Sequence, residues 1–542
     1  MREMMGNRTQ GRRAAAIALG VVLAMGVPLG AQQTGAQQAG APQAPAPGPA
    51  GQAPAPAAGA KVLQLSMAEA VAMSMEANLG LKSQRLNVDV AAQNIVSAHA
   101  SFLPQLRGNL SRQVTDRPSS SFTDVSSATI SSNNLAAGAT LNQTLPWYGG
   151  SYTLNFNNGR SATSSVGATF NPTLSSSFTV AYTQPLLQGF KLDSARVGVE
   201  TSERQREIAD LDLQAQMITL QAQVRDAYLN LVGAIETRKV VGENMDSAQR
   251  QLDQAKRKVS VGTLAQIDVI QTEANVATNQ VSVISAEAQI ASAQDVLRSL
   301  ILDPARPDYW DIEFQATDTI PEAKPQAFDV NVVTSNALAN RLDLLSARKN
   351  LAITGLNVRL DQDLTKPTVN AGVTYQASGT GGVINSYSQT FPPTLLSQSA
   401  KSLGSTLGEA FSGAYPSWTV GLNITYPIGT TSARSNLARA QIQEHQQQIN
   451  LKNLETQVTA AVRQAVRDVE TAAQRVVAAA ASLSANEKQY EAEKRKEEVG
   501  LSTTFDVLQK QTLLASARLT DIQARIQYSQ ALLNLDRVQK IR

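Results

Sequence analysis

The chain has 542 residues, 42% of them hydrophobic, with 47 Lys and Arg against 44 Asp and Glu, a formal net charge of +3, two histidines and no cysteine. The near balance of charge argues against nucleic acid as a partner, and the absence of cysteine excludes a disulfide framework, a thiolate metal site and an acylated cysteine at a mature N-terminus. His99 and His445 lie in separate polar helical contexts, and Gly379, Gly381 and Gly382 lie in a Ser/Thr-rich stretch rather than between a strand and a helix, so the chain reads as a non-enzyme without metal, nucleotide or other cofactor.

The chain opens with Arg8, Arg12 and Arg13, then the apolar run Ala14 to Val27, then Leu29-Gly30-Ala31. This resembles a secretory signal peptide over residues 1–31; the run is short for a membrane helix and holds Gly. No later segment has about 18 consecutive apolar residues, so no inner-membrane span follows. Residues 32–60 are Gln, Ala, Pro and Gly apart from Thr34, with no charge before Lys61, a composition that cannot bury a core and predicts a disordered linker over 32–62.

Residues 63–302 form a first unit: a helix, strands over about 104–187, and a long helical hairpin. Leu106, Gly108 and Leu110 follow Pro104; Phe178, Val180 and Tyr182 alternate with Thr179, Ala181 and Thr183 and stop at Gln184-Pro185. Between them, Tyr152, Leu154 and Phe156 alternate with Thr153, Asn155 and Asn157 after the turn Pro146 to Gly150. This predicts an additional hairpin over about 140–157 that widens a barrel, plugs it or sits on its surface. Trp147 and Tyr148 suit an interfacial aromatic belt or a packed turn.

Helical periodicity then takes over. Met217, Leu220, Val224, Ala227, Leu231 and Ala234 step by 3 and 4, and after an interruption at Arg238 the seam resumes at Val241, Met245, Ala248, Leu252, Ala255 and Val259. Beyond Gly262, Ile267, Ile270, Ala274, Ala277, Val281, Ile284, Ala288 and Ala291 keep the same steps. Glycine tolerates the left-handed backbone of a tight reversal, and Lys256-Arg257-Lys258 sits where cations favour a helix C-terminus. From Ser194 to Gly262 such a helix runs roughly 100 Å at ~1.5 Å per residue.

Residues 303–327 connect to a second unit, 328–542. Val369, Ala371, Val373 and Tyr375 follow Pro367; Val420, Leu422, Ile424 and Tyr426 alternate with Thr419, Gly421, Asn423 and Thr425 up to Pro427, placing strands over about 367–427. The polar stretches 111–137 and 376–417 are expected to be long extracellular loops. The second helical pair matches the first at a shift of 238 positions: Lys256 becomes Lys494, Gly262 becomes Gly500, Asp268 becomes Asp506, Gln271 becomes Gln509. Its seams are Val462, Ala465, Val469, Ala472, Val476, Ala479 and Leu483, then Phe505, Leu508, Thr512, Ala515, Leu519, Ile522 and Ile526. A gapless match of about a hundred residues is an internal duplication. Alternating strands fit either a barrel wall with lipid outside and water inside or a half-buried sheet; periodicity alone also fits a non-pore structural coiled-coil protein of the periplasm or cell surface.

Several strings carry a resemblance: Leu65-Ser66-Met67-Ala68-Glu69-Ala70, Phe102-Leu103-Pro104-Gln105-Leu106, Tyr182-Thr183-Gln184-Pro185-Leu186-Leu187, and the two tips Val261-Gly262-Thr263 to Asp268-Val269 and Val499-Gly500-Leu501 to Asp506-Val507-Leu508. In that order and duplicated they resemble the TolC family of outer-membrane efflux and export channels. The resemblance implies an α+β membrane protein with long antiparallel coiled-coil hairpins, a periplasmic α-barrel, joined to an outer-membrane β-barrel with a twofold internal repeat. It implies a homotrimer, a passive channel in the outer membrane of a Gram-negative bacterium reaching into the periplasm. A periplasmic membrane-fusion adaptor and an inner-membrane pump of RND, ABC or MFS type are the implied partners, in efflux or type I secretion. An adaptor protein would carry a lipoyl-like module between its arms and a trimeric adhesin would lack the repeat; matched strands after Pro104 and Pro367 fit neither.

The same resemblance assigns roles. Val261, Gly262, Thr263, Val499, Gly500 and Leu501 match adaptor-docking tips, or are simply turns. Asp506 matches an acidic periplasmic gate, where three carboxylates around an axis raise one another's pKa and favour cations; stabilising its own helix N-terminus is the simpler role, and that simpler role suits Asp268 especially. Gln509 stands where the family prototype has a second acidic ring, and Ser502 where it has an arginine that locks the closed state. A weaker cation filter and a different lock are therefore expected, with Arg257 and Arg495 as substitutes.

Overall fold

Long stretches without proline and with an apolar residue every third or fourth position leave the backbone no reason to break, and two helices of 67 residues result: α3, Ser194–Ser260, and α8, Ser432–Glu498. The computed structural model describes residues 61–119, 129–165, 168–263, 265–320, 326–390, 394–426, 428–429 and 431–539. The expected signal peptide, Pro427 and all but the last two residues of the expected linker lie outside these.

The order is β1 (Lys61–Leu65), α1 (Met67–Ala77), α2 (Leu79–His99), a 3-10 turn (Ala100–Phe102), β2 (Gln105–Pro118), β3 (Thr129–Thr144), β4 (Ser151–Thr163), β5 (Phe170–Pro185), α3, α4 (Gln266–Ile301), β6 (Ile312–Ala316), α5 (Val330–Asn340), α6 (Leu342–Leu364), β7 (Thr368–Tyr387), β8 (Leu395–Lys401), α7 (Leu403–Ser412), β9 (Tyr415–Thr425), α8 and α9 (Thr504–Gln539). The linker expectation needs trimming, because Lys61 and Val62 already belong to β1, which pairs in parallel with β6. That small sheet was not legible in 303–327. Tyr228 of α3 pins it by donating to the Leu65 carbonyl at 2.9 Å.

The α3 seam is as the periodicity predicts: Leu220, Val224, Ala227, Leu231, Val241, Ala248, Leu252 and Ala255 are buried. The interruption at Arg238 is a surface ion pair to Glu287, 3.2 Å. In α8, Val462, Ala465, Val469, Ala472, Val476 and Ala479 are buried likewise.

The second arms correct the sequence reading. In α4 the predicted stripe is exposed, with Val281 at 65% and Ile284 at 59%. The helix faces α3 instead with Val269, Thr272, Ala286 and Leu297, flanked by the half-buried Val276, Ile290 and Ala293. α9 likewise buries Val507, Leu514, Ala517, Ala524 and Tyr528 against α8, while Leu519 and Ile526 of the predicted stripe are only half-buried. Each second arm therefore carries two 3–4 stripes, and periodicity cannot rank them.

β2, β3, β4, β5 and β7 form one antiparallel sheet in that order, with β9 on the helix-proximal part of β7 and β8 on its far part. The additional hairpin is in the wall, as β3 and β4. One register row reads Leu106, Leu141, Leu154, Val180, Tyr375, Trp418, so a single face is apolar across six strands. The opposite face reads Arg107, Thr140, Asn155, Thr179, Gln376, Ser417. The stretches expected as loops, 111–137 and 376–417, are largely ordered: β2 and β3 hydrogen-bond out to Pro118 and Thr129, and β7 continues to Tyr387 before β8 and α7. Ser, Thr and Asn on both faces look like loop sequence, yet the backbone hydrogen-bond ladder does not itself require apolar alternation.

Candidate functional site

The helical pairs end in two closely matched reversals. Gly262 and Gly500 both have φ of 75°. Thr263 N–H reaches back to the Lys258 carbonyl at 2.9 Å, and Leu501 N–H to the Lys496 carbonyl at 2.8 Å, so each reversal satisfies a carbonyl that the end of the rod would otherwise leave orphaned. Val261, Val499 and Leu501 are exposed at 73%, 69% and 79%, an unusual display of branched apolar side chains at a chain reversal. Among the described residues no heavy atom lies within 4 Å of a Cβ added at either glycine; it is the backbone conformation that demands glycine there.

The tips lie side by side. Lys258 Nζ of the first is 3.5 Å from Glu497 Oε1 of the second, and Thr504 donates to the same carboxylate at 3.3 Å. Further up, Gln251 donates to Gln511 at 2.7 Å and Arg518 meets Glu243 at 3.4 Å. Lys258, rather than Arg257 or Arg495, thus joins the two hairpins; neither arginine forms an ion pair among the described residues. Ser502, at the expected arginine position, donates to Glu493 at 2.6 Å.

Asp506 and Asp268 differ in their local hydrogen bonds. Asp506 accepts from the Thr503 hydroxyl at 2.6 Å and the Thr503 N–H at 3.3 Å, while its own N–H donates to that hydroxyl at 3.3 Å. This reciprocal cap, with Ser502 and Lys496 as smaller contributions, holds its carboxyl below the ordinary 3.8. The matching position of the first tip is Ala265, which has no side chain to cap with, and Asp268 is left as first-turn acid only. Helix capping therefore suits Asp506 at least as well as Asp268. Gln509 is exposed one turn on. His99 ends α2 and His445 lies within α8.

At the other end, the rim turn between β3 and β4 is packed: Tyr148 (φ 56°) stacks on Phe190 with centroids 4.9 Å apart, and Gln184 donates to its carbonyl at 2.6 Å. Trp147 stays exposed. Sequence reading missed α7, which lies against β5 and β7 on the apolar face; its signal was the pair of glycines 379 and 381, both under Thr406.

A family model described as outer membrane efflux protein matches residues 151–301 and 333–538, more than half of the chain. Outer membrane protein TolC of Escherichia coli is 26% identical over 340 residues, 60% of this chain and 62% of TolC, so the matched region spans less than two thirds of that relative. Outer membrane efflux protein BepC of Brucella suis is 25% identical over 363 residues, 65% of this chain and 70% of BepC. Among solved structures, the CmeC outer membrane channel of Campylobacter jejuni superposes with a TM-score of 0.62 at 16% identity, covering 88% of this chain and 85% of that one; at that identity the likeness is one of fold.

Proposed function

From the premise that the chain belongs to the outer membrane efflux protein family, and so to the outer membrane of a Gram-negative cell, we propose that it is the passive channel of a tripartite assembly, trimeric, docked by its tips to a periplasmic adaptor and served by an inner-membrane pump. It is not an enzyme. The observation that carries the channel reading is the six-stranded wall with one apolar and one polar face, feeding directly into two 67-residue rods.

Two unmatched surfaces support a trimer. β2 and β9 are the lateral edges of the wall, and a membrane tolerates no open edge. β2 runs away from the helices and β9 back toward them, so β9 of one copy pairs antiparallel with β2 of the next. Six strands per copy, β2 to β5 with β7 and β9, make eighteen in three. The second unmatched surface is the exposed α4 stripe. Its counterpart on α9 already packs on α3, where Ile526 fills the space left by Gly233. If the two halves are a duplication, α4 packs in the same manner on α8 of the neighbouring copy, and a ring of hairpins closes.

The exposed Val261, Gly262, Thr263 and Val499, Gly500, Leu501 form the docking surface in this reading. Asp506, with Gln509 and Asp268, lines the periplasmic gate, and the Lys258–Glu497 pair contributes to its closed state. Photo-crosslinking from Thr263 or Leu501 in living cells, with the captured protein identified by mass spectrometry, tests the docking step. Capture of an adaptor of an RND or MFS pump establishes efflux, and one of an ABC exporter type I secretion. Correctly inserted protein that captures no adaptor overturns it.

A further inference from the structure

We propose that α7 is an interfacial helix bound to the outside of the barrel wall, its apolar flank seated in the acyl chains of the outer leaflet. The proposal rests on the reading above that the apolar face of the wall meets lipid.

The face is fixed by the register. Thr406, fully buried, sits over Gly379 and Gly381: a Cβ on Gly379 would lie 2.1 Å from the Thr406 carbonyl oxygen, and one on Gly381 2.2 Å from its hydroxyl. These glycines continue the series Val369, Ala371, Val373, Tyr375, Ala377 on β7, which is the apolar side. The three glycines of this polar stretch therefore have a purpose: two of them let a helix backbone lie flat on a strand.

The helix has two unlike flanks. At 100° per residue, Leu403, Leu407 and Phe411 line one side, and Ser405, Glu409 and Ser412 the other. Phe411 stacks on Phe156 and Phe178 at 5.4 and 6.1 Å, one row nearer the helices than the Ser176–Gly379 row that α7 covers. The apolar flank thus points back into the apolar band. Glu409 points the other way, paired at 2.6 Å with Lys401, whose strand partner is Gly382.

The level is also marked. β2, β4 and β7 run away from the rods, so α7 lies at the far, extracellular end. Here the outward face changes character: beyond the Gly108, Ala139, Phe156, Phe178, Ala377 row come Asn158 and Ser176, which are hydrogen-bonded at 2.8 Å, and then the exposed Arg112 and Arg160, both opposite Leu135. Outward arginines just past an apolar band lie at headgroup depth, where cations meet lipid phosphate. An amphipathic helix at that depth, with Phe411 and Leu403 left exposed by the protein itself, has lipid as its fitting partner.

The chain has no cysteine, so each introduced cysteine takes a nitroxide uniquely. Labels at Leu407→Cys, Phe411→Cys and Ser405→Cys, in full-length protein reconstituted in phospholipid bilayers, report accessibility to oxygen against a water-soluble nickel chelate. Leu422→Cys and Asn423→Cys on β9 provide references for the two wall faces. The expected result is an oxygen-to-nickel ratio at 407 and 411 that matches 422 and exceeds that at 405. Oxygen preference at 422 with nickel preference at 411 overturns the proposal and leaves the wall reading intact. Exclusion of both reagents at 411 means a neighbouring copy covers it, and also overturns the proposal. Nickel preference at 422 itself sinks the wall reading.

Discussion

Lys258 and Glu497 stand 3.5 Å apart and join the tips of the two hairpins. Both side chains are partly solvated, so the pair contributes little to stability, on the order of 0–1 kcal/mol. Its effect is on geometry. We predict that Lys258→Met leaves thermal stability nearly unchanged but raises single-channel conductance in planar bilayers, and that high salt narrows the difference between the variant and the native chain. Equal conductance at low salt would remove the pair from the gate.

Gly262→Ala and Gly500→Ala each force an alanine to φ near 75°, in open space. With no steric clash, the cost is the left-handed backbone alone, about 1–2 kcal/mol. Crosslinking yield from the altered tip is expected to fall while the trimer survives. Asparagine, which enters this region more readily, is expected to retain more crosslinking than alanine at the same position.

Protonation of Asp506 offers a pH test. Its folded pKa is depressed by the Thr503 cap, so the stabilisation is present above the ordinary 3.8 and is lost as pH falls through the lower folded value. Hydrogen exchange at residues 503–507 should accelerate only in that acid range. Thr503→Val removes the hydroxyl and moves the onset to higher pH. In a trimer whose three Asp506 carboxylates repel closely, the native onset shifts upward instead, and a normal or raised pKa would be the sign that the ring outweighs the cap.

Deleting residues 129–163 removes β3 and β4 as a unit. The row register brings Leu106 opposite Val180, apolar faces stay aligned and antiparallel order is kept. The shortened chain is expected to insert as a trimer with a barrel about two thirds as wide, since diameter grows roughly with strand number. Aggregation without insertion would show that the hairpin is needed to build the wall.

Val281→Asp places a charge in the exposed apolar stripe of α4. The protomer buries nothing there, so the monomer fold should be unaffected. If the stripe meets α8 of a neighbour, the trimer loses roughly several kcal/mol per interface from the buried charge, and light scattering shows a smaller assembly. An unchanged trimer would place the stripe toward solvent or another partner.

Sequence alone determined the elements whose physics is local. Heptads over 67 residues can only be rods, a glycine after a basic run in both halves can only be a reversal, and Pro104 and Pro367 open strands because proline cannot continue the preceding helix. The strings that carry the family resemblance lie at those same junctions. Partnership was not local. Ile267, Ile270 and Val281 form as good a heptad as Val269, Thr272 and Val276, and only packing against α3 chose between them. Whether Tyr152 to Phe156 belonged to wall, plug or surface depended on β5 pairing with β4 on one side and β7 on the other. Gly379 and Gly381 read as loop residues until α7 was found lying on them. Tertiary structure decided these points because each depends on which surface comes to rest against which, and a periodic sequence offers several surfaces of nearly equal merit.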